Sequence, residues 1–172
     1  MKSGRRCYKL WHMPQRRHLL LGVAGLVSFL AAPGCGKESP SNPDAFVSCA
    51  NDPRADQYSA GMERTGKNNL LKMSLMASDP GPPRKGTNVW TLRLADGEGA
   101  AQSGATINVT PWMPDHLHGT SVKATVTPAG TAGEYTAMPL YLFMTGLWEV
   151  TFDVTTAGGV KDSVVFRFCV DG

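Results

Sequence analysis

The chain has 172 residues, with 17 Lys and Arg, 14 Asp and Glu and a formal net charge of +3. Six of the basic residues, and none of the acidic ones, lie in the first 34 positions. The rest of the chain holds 11 basic residues (17 minus 6) against 14 acidic ones, a net charge of −3. This balance contains no basic stripe and gives no reason to propose nucleic acid as a partner.

Residues 1–34 are predicted to be an export signal of the lipoprotein type. Basic residues come first, and an apolar run of 14 residues, Leu19–Ala32, follows them. That run is short for a membrane span and has the length typical of a signal peptide. Either Met1 or Met13 could be the start of the protein.

The sequence AAPGC at the end of this segment resembles the cleavage box of bacterial lipoproteins. We therefore expect cleavage before Cys35 and lipid attachment to it, because several acyl chains make a stable anchor. Ordinary cleavage after Gly34, with Cys35 left as a free thiol, is the alternative. Residues 35–45 would then combine the anchor with a flexible, proline-containing tether. The predicted location is the cell envelope, outside the cytoplasm, at either the inner or the outer membrane.

Two further cysteines, Cys49 and Cys169, lie near the two ends of the part that follows the tether. In an oxidising compartment such an even pair predicts a disulfide bond. Two buried free thiols are the alternative.

Residues 46–172 are predicted to form one domain. Residues 46–69 are expected to form a loop with one short helical turn, packed on the domain through Cys49. From Leu70 onward apolar residues alternate with polar ones, which is typical of half-buried antiparallel strands. Tyr135 would lie on a further, shorter strand. We predict an all-β, immunoglobulin-like antiparallel β-sandwich of about seven strands. The predicted core positions are Leu71, Met73, Leu75, Trp90, Leu92, Leu94, Ala105, Ile107, Val109, Val122, Ala124, Val126, Trp148, Val150, Phe152, Val154, Val164, Phe166, Phe168 and Val170.

The sequence WMPDHLHG, residues 112–119, holds the only two histidines that remain once the signal is removed. In extended backbone His116 and His118 point to the same face, so they could bind one ion together with Met113. A thioether with imidazoles selects copper ahead of zinc. The alternative is a solvated turn that binds no metal. Met138 and Met144 could supply a second sulfur if their segment passes nearby, or they could fill the core.

The chemistry of an enzyme finds little support in the sequence. There is no G-x-S-x-G nucleophile elbow, no glycine-rich phosphate loop and no paired-carboxylate motif. We expect a protein that is not an enzyme.

Three segments resemble the YtkA-like family, which is related to the FixH family. They are ADGEGAAQSGATINVTPWMPDHLHG, GEYTAMPLYLFMTGLWEVTFDV and DSVVFRFCV, and the resemblance covers about residues 90–170. It implies a small exported β-sandwich. Members similar to FixH are implicated in copper handling during cytochrome oxidase assembly, and the Met and His positions of the family would correspond to Met113, His116 and His118.

The sequence therefore predicts a membrane-anchored domain outside the cytoplasm that binds copper and serves in metal handling or oxidase assembly. The alternative is an interaction module that presents its loops to another envelope protein without any metal.

Overall fold

Nine β-strands and no helix make up residues 49–171, the part of the chain that the computed structural model describes. The strands are β1 (Met62–Thr65), β2 (Leu71–Asp79), β3 (Gly86–Asp96), β4 (Thr106–Met113), β5 (His118–Gly119), β6 (Thr125–Pro128), β7 (Glu134–Leu142), β8 (Gly146–Thr155) and β9 (Lys161–Val170). No helix within these residues is long and apolar enough to cross a membrane. The predictions for the export signal, for Cys35 and for the tether fall outside the described residues.

Two antiparallel sheets form the sandwich. One sheet has five strands in the order β1-β2-β3-β7-β6, and the other has four in the order β5-β4-β8-β9. Alternate residues of β2, β3, β8 and β9 are buried, because successive side chains of a strand point to opposite faces. The predicted all-β sandwich is confirmed, with nine strands instead of about seven.

The core between the sheets is made largely of the predicted apolar stripes. Trp90, Trp148, Phe152 and Phe166 are fully enclosed in it. Val122 is the exception, because it is exposed and precedes β6, which begins at Thr125. Ala124 and Val126 of the same predicted stripe pack partly buried against the core.

Two segments differ from the sequence prediction. Residues 46–69 were expected to form a loop with a helical turn, but β1 pairs with β2 there, with Met62 opposite Leu75. The strand around Tyr135 was expected to be short, yet β7 has nine residues and lies between β3 and β6. Both strands obtain their hydrogen bonds from neighbours in the sheet, which a local sequence pattern does not reveal.

The predicted disulfide joins Cys49 to Cys169, whose Cα atoms are 5.4 Å apart. It attaches the segment before β1 to the end of β9, on the other sheet. Asp56 extends this attachment, because its backbone N–H donates to the carbonyl of Arg167 over 2.7 Å and its carboxylate accepts from the N–H of Arg167 over 2.8 Å.

Asp162 on β9 links the two sheets in another way. Its carboxylate is buried and accepts hydrogen bonds from the backbone N–H groups of Asn68, Leu70 and Leu71, at 2.9, 3.0 and 3.1 Å. Gly66 leaves room for it, since a Cβ there would lie 2.2 Å from the carboxylate Oδ2. The turn between β1 and β2 is therefore wrapped around a charged group of the opposite sheet.

Candidate metal centre

The two histidines lie on the hairpin between β4 and β5. We call residues 113–118 the histidine loop. Met113 ends β4 and pairs with His118, the first residue of β5. The backbone N–H of Leu117 donates to the carbonyl of Met113 over 2.9 Å and closes the turn. Leu117 has φ of 56°, in the left-handed region that a bulky residue rarely adopts. The tight turn thus brings residues on both sides of it together.

The rings of His116 and His118 lie side by side, with centroids 5.6 Å apart and planes inclined by 53°. The prediction that both rings point to one face of extended backbone is wrong. His116 lies in the turn, and the left-handed residue Leu117 redirects the chain between the two rings. His116 is exposed and His118 is half-buried.

Met113 lies on the core side of the histidine loop. Its side chain is fully buried. A Cβ built on Gly146 would lie 2.8 Å from Met113 Cε and 3.8 Å from His116 Nε2. The thioether methyl and the imidazole nitrogen therefore converge on one bare stretch of backbone at the start of β8. Gly146 has φ of 130°, and a side chain there would both strain the backbone and displace the Met113 methyl.

His118 is fixed on its other side by Phe143, whose ring is stacked on it at 5.5 Å with an inclination of 25°. The Nδ1 atom of His118 is buried and has no hydrogen-bond partner, and the same is true of Thr145 Oγ1. A buried polar atom without a partner costs about 1–3 kcal/mol, so such atoms call for a physical account. A bound metal ion would supply the missing partner of the imidazole, and the donor set therefore fits a soft cation.

The one carboxylate of the histidine loop, that of Asp115, is hydrogen-bonded to a residue outside the loop. Arg54 Nη1 and Nη2 donate to the two oxygens of Asp115 over 2.8 and 2.7 Å, and Nη2 also donates to Asp52 over 2.6 Å. These hydrogen bonds from Arg54 hold the pKa of both Asp115 and Asp52 below its usual range.

The other two methionines take different places. Met138 is 49% exposed on β7, so the expectation that it fills the core is wrong. Met144 packs partly buried against the core, and its carbonyl accepts a hydrogen bond from Trp148 Nε1 over 2.9 Å. The methyl group of Met113, in contrast, lies near Gly146, where His116 Nε2 also lies.

Among residues 49–171 no three or more His, Cys, Asp or Glu side chains form a group that could hold a metal. A metal site at the histidine loop would accordingly include the thioether of Met113.

Three residues near the loop were missed by the sequence argument. Arg54 lies in a polar segment without periodicity, and nothing in the sequence links it to Asp115. Phe143 lies in a stretch where apolar and polar residues do not alternate, so the pattern does not predict which way its side chain points. Gly146 lies in the second segment that resembles the family, two residues before Trp148, but the resemblance alone does not show that its missing side chain makes room for Met113.

The stretch that includes the histidine loop is also the one that comparison with known proteins identifies. No curated protein was found to match the chain. A family model described as YtkA-like matches residues 67–153, which is half of the chain and runs from the turn before β2 to near the end of β8. The chain belongs to the YtkA-like family.

Proposed function

We propose that this domain binds copper through Met113, His116 and His118, and that it serves in metal handling or oxidase assembly at the cell envelope. The observation that carries the proposal is the approach of the Met113 methyl group and His116 Nε2 at Gly146, with the ring of His118 beside that of His116 and its Nδ1 buried and unpaired. The resemblance to FixH-like proteins agrees with a copper-handling role. An anchor at Cys35 would keep the domain at a membrane.

Each residue has a distinct part in the proposed site. Met113 supplies a soft sulfur from inside the sandwich, where packing keeps its position fixed. His118 is held by its stacking on Phe143. His116 is exposed, so it gives an ion access from solvent and a path of departure toward an acceptor. A site that is fixed on one side and open on the other suits transfer of the metal.

Replacement of both histidines tests the proposal. The change His116→Ala with His118→Ala should weaken Cu(I) binding by more than about 100-fold, because it removes two of three ligands and even outer contacts of metal sites are worth 10–100-fold. The measurement is competition of the purified protein against a chromophoric Cu(I) chelator. Met113→Leu should weaken binding while nearly conserving volume.

Met138→Leu is the matched control, because Met138 is an exposed methionine on β7, in the sheet that does not carry the histidine loop. It should bind copper as the unsubstituted protein does. Equal titration curves for the unsubstituted protein and the double histidine variant would rule out this site.

A second function is favoured by the tip of the loop. Leu117 is 76% exposed although its left-handed backbone is unfavourable for a leucine, and strained residues of this kind cluster at binding and switch regions. Leu117→Asn keeps the left-handed backbone at low cost because asparagine tolerates it. If the loop is a recognition surface, this change should abolish co-purification of an envelope partner in the presence of a chelator. Retained co-purification would contradict it.

A further inference from the structure

Asp115 is the only carboxylate of the histidine loop, and it stands next to His116 in the sequence. A carboxylate in this place would ordinarily be available as a third type of ligand beside imidazole and thioether. Both of its oxygens instead accept hydrogen bonds from the two terminal nitrogens of Arg54, at 2.8 and 2.7 Å. This two-pronged geometry directs the carboxylate toward the guanidinium group.

Arg54 is positioned for this contact by its own segment. Its backbone N–H donates to the carboxylate of Asp52 over 2.9 Å, and the N–H of Asp52 donates to the carbonyl of Cys49 over 2.9 Å. Cys49 is bonded to Cys169 on β9. Arg54 therefore extends from a turn that is covalently fixed to the sandwich, and it lies outside residues 67–153 that match the family.

Stability does not account for this ion pair. The side chains of Arg54 and Asp115 are 47% and 50% exposed, and exposed ion pairs contribute little to folding. Its effect lies in where it holds the carboxylate. With Asp115 engaged, the loop offers only ligands without a negative charge, which are the imidazoles of His116 and His118 and the thioether of Met113.

A ligand set without a negative charge discriminates between ions of different charge. The cost of taking an ion out of water rises with the square of its charge, so it is about four times larger for a divalent ion than for a monovalent ion of equal size. An anionic ligand would offset this cost. Thioether sulfur adds its own preference for Cu(I), whereas carboxylate oxygen favours harder divalent ions.

We propose that Arg54 is a specificity-determining residue, which withholds the Asp115 carboxylate from the histidine loop and thereby makes the site select Cu(I) over Cu(II) and Zn(II). This inference rests on the proposed copper site and adds the oxidation state of the ion and the residue that determines it.

Arg54→Met removes the guanidinium group and keeps an unbranched side chain. Release of Asp115 should raise the affinity for Cu(II) and Zn(II) relative to Cu(I) by up to about fivefold, which is the effect that breaking one exposed ion pair can have. The affinities are measured separately on the full chain, with Cu(I) by chelator competition and with Cu(II) and Zn(II) by calorimetry. The reduction potential of the bound copper should fall by about 59 mV for each tenfold change in the ratio of Cu(II) to Cu(I) affinity.

Two comparisons isolate the cause. Arg64→Met removes a guanidinium group of similar exposure from its ion pair with Asp56, with the same change in charge, and should leave the selectivity unchanged. Arg54→Met combined with Asp115→Asn should return the selectivity to that of the unsubstituted protein, since the released carboxylate is then missing.

The outcomes separate this inference from the proposed function. Copper binding that needs both histidines, with a selectivity that Arg54→Met leaves unchanged, overturns the role of Arg54 alone. A shift that persists when Asp115 is also replaced, or that Arg64→Met reproduces, overturns it as well, because the cause is then general charge. Absence of any copper binding by the unsubstituted protein overturns both.

Discussion

Replacement of Cys49 and Cys169 by serine is expected to lower the free energy of unfolding by about 3–5 kcal/mol. The bond spans a sequence separation of 120 residues. In the chain-entropy model, a loop of that length lowers the entropy of the unfolded chain enough to give a stabilisation near the upper end of this range. Equilibrium unfolding in urea, followed by tryptophan fluorescence, measures the difference. Because Trp90 and Trp148 are fully buried, their emission reports on the core.

Reduction of the unsubstituted protein is the matched control for this change. The reduced protein should unfold at the same urea concentration as the double serine variant, since both lack only the bond. A variant as stable as the oxidised protein would show that the segment from Cys49 to Tyr58 is held by its hydrogen bonds to β9 and not by the covalent link.

Asp162→Ala should have the next largest effect, a loss of about 2–4 kcal/mol in the free energy of unfolding. The carboxylate accepts hydrogen bonds from the backbone N–H groups of Asn68, Leu70 and Leu71. Hydrogen bonds to charged groups are worth about 1.5–3 kcal/mol each, but N–H groups near the surface recover part of that from water. Asp153→Asn is the control, because Asp153 is an exposed carboxylate on the neighbouring strand β8.

The stabilisation from Asp162 should also depend on pH. Burial by itself would raise the pKa of this carboxyl, but the hydrogen bonds from Asn68, Ser163, Leu70 and Leu71 outweigh burial and hold the pKa below its usual value. A depressed pKa in the folded state means that the stabilisation is complete above the pKa of the unfolded chain, about 3.9, and is lost as the pH falls through the folded value. Urea unfolding at pH 7 and at about pH 3 should show a larger gap between the unsubstituted protein and Asp162→Asn at pH 7. An equal gap at both values would contradict this account.

Alternation of apolar and polar residues predicted the sandwich well where a strand is buried on one face. The stripes that contain Trp90, Trp148 and Phe166 all face the core, because strand geometry imposes a period of two on any half-buried strand. The disulfide was also predictable, because an even pair of cysteines in a chain expected to be exported favours a bond between them.

The alternation of apolar and polar residues did not predict the edge strands or the geometry of the histidine loop. β1 and β6 are short strands at the two edges of one sheet, and neither has a complete apolar stripe to reveal it. The candidate ligands Met113, His116 and His118 were identified by residue type, but their approach depends on the left-handed Leu117 and on the bare backbone of Gly146. Conformations of this kind are set by the whole fold.

The contact between Arg54 and Asp115 shows most clearly what the sequence alone does not predict. The two residues are 61 positions apart. Their approach depends on the disulfide at Cys49 and on the turn at Asp52, so it follows from tertiary structure and not from either local sequence.

The bond between Cys49 and Cys169 also changes the topology of the molecule. Residues 49–169 form a closed covalent ring that contains all nine described strands except the last residue of β9. A single cut by a protease in any turn, such as the exposed one around Gly130, would open this ring, and the disulfide bond would still join the two pieces of chain. The strands would then follow one another in a new order, and no fragment would be released. Two cuts are needed before any strand can diffuse away, and the histidine loop is kept in place by the same closure.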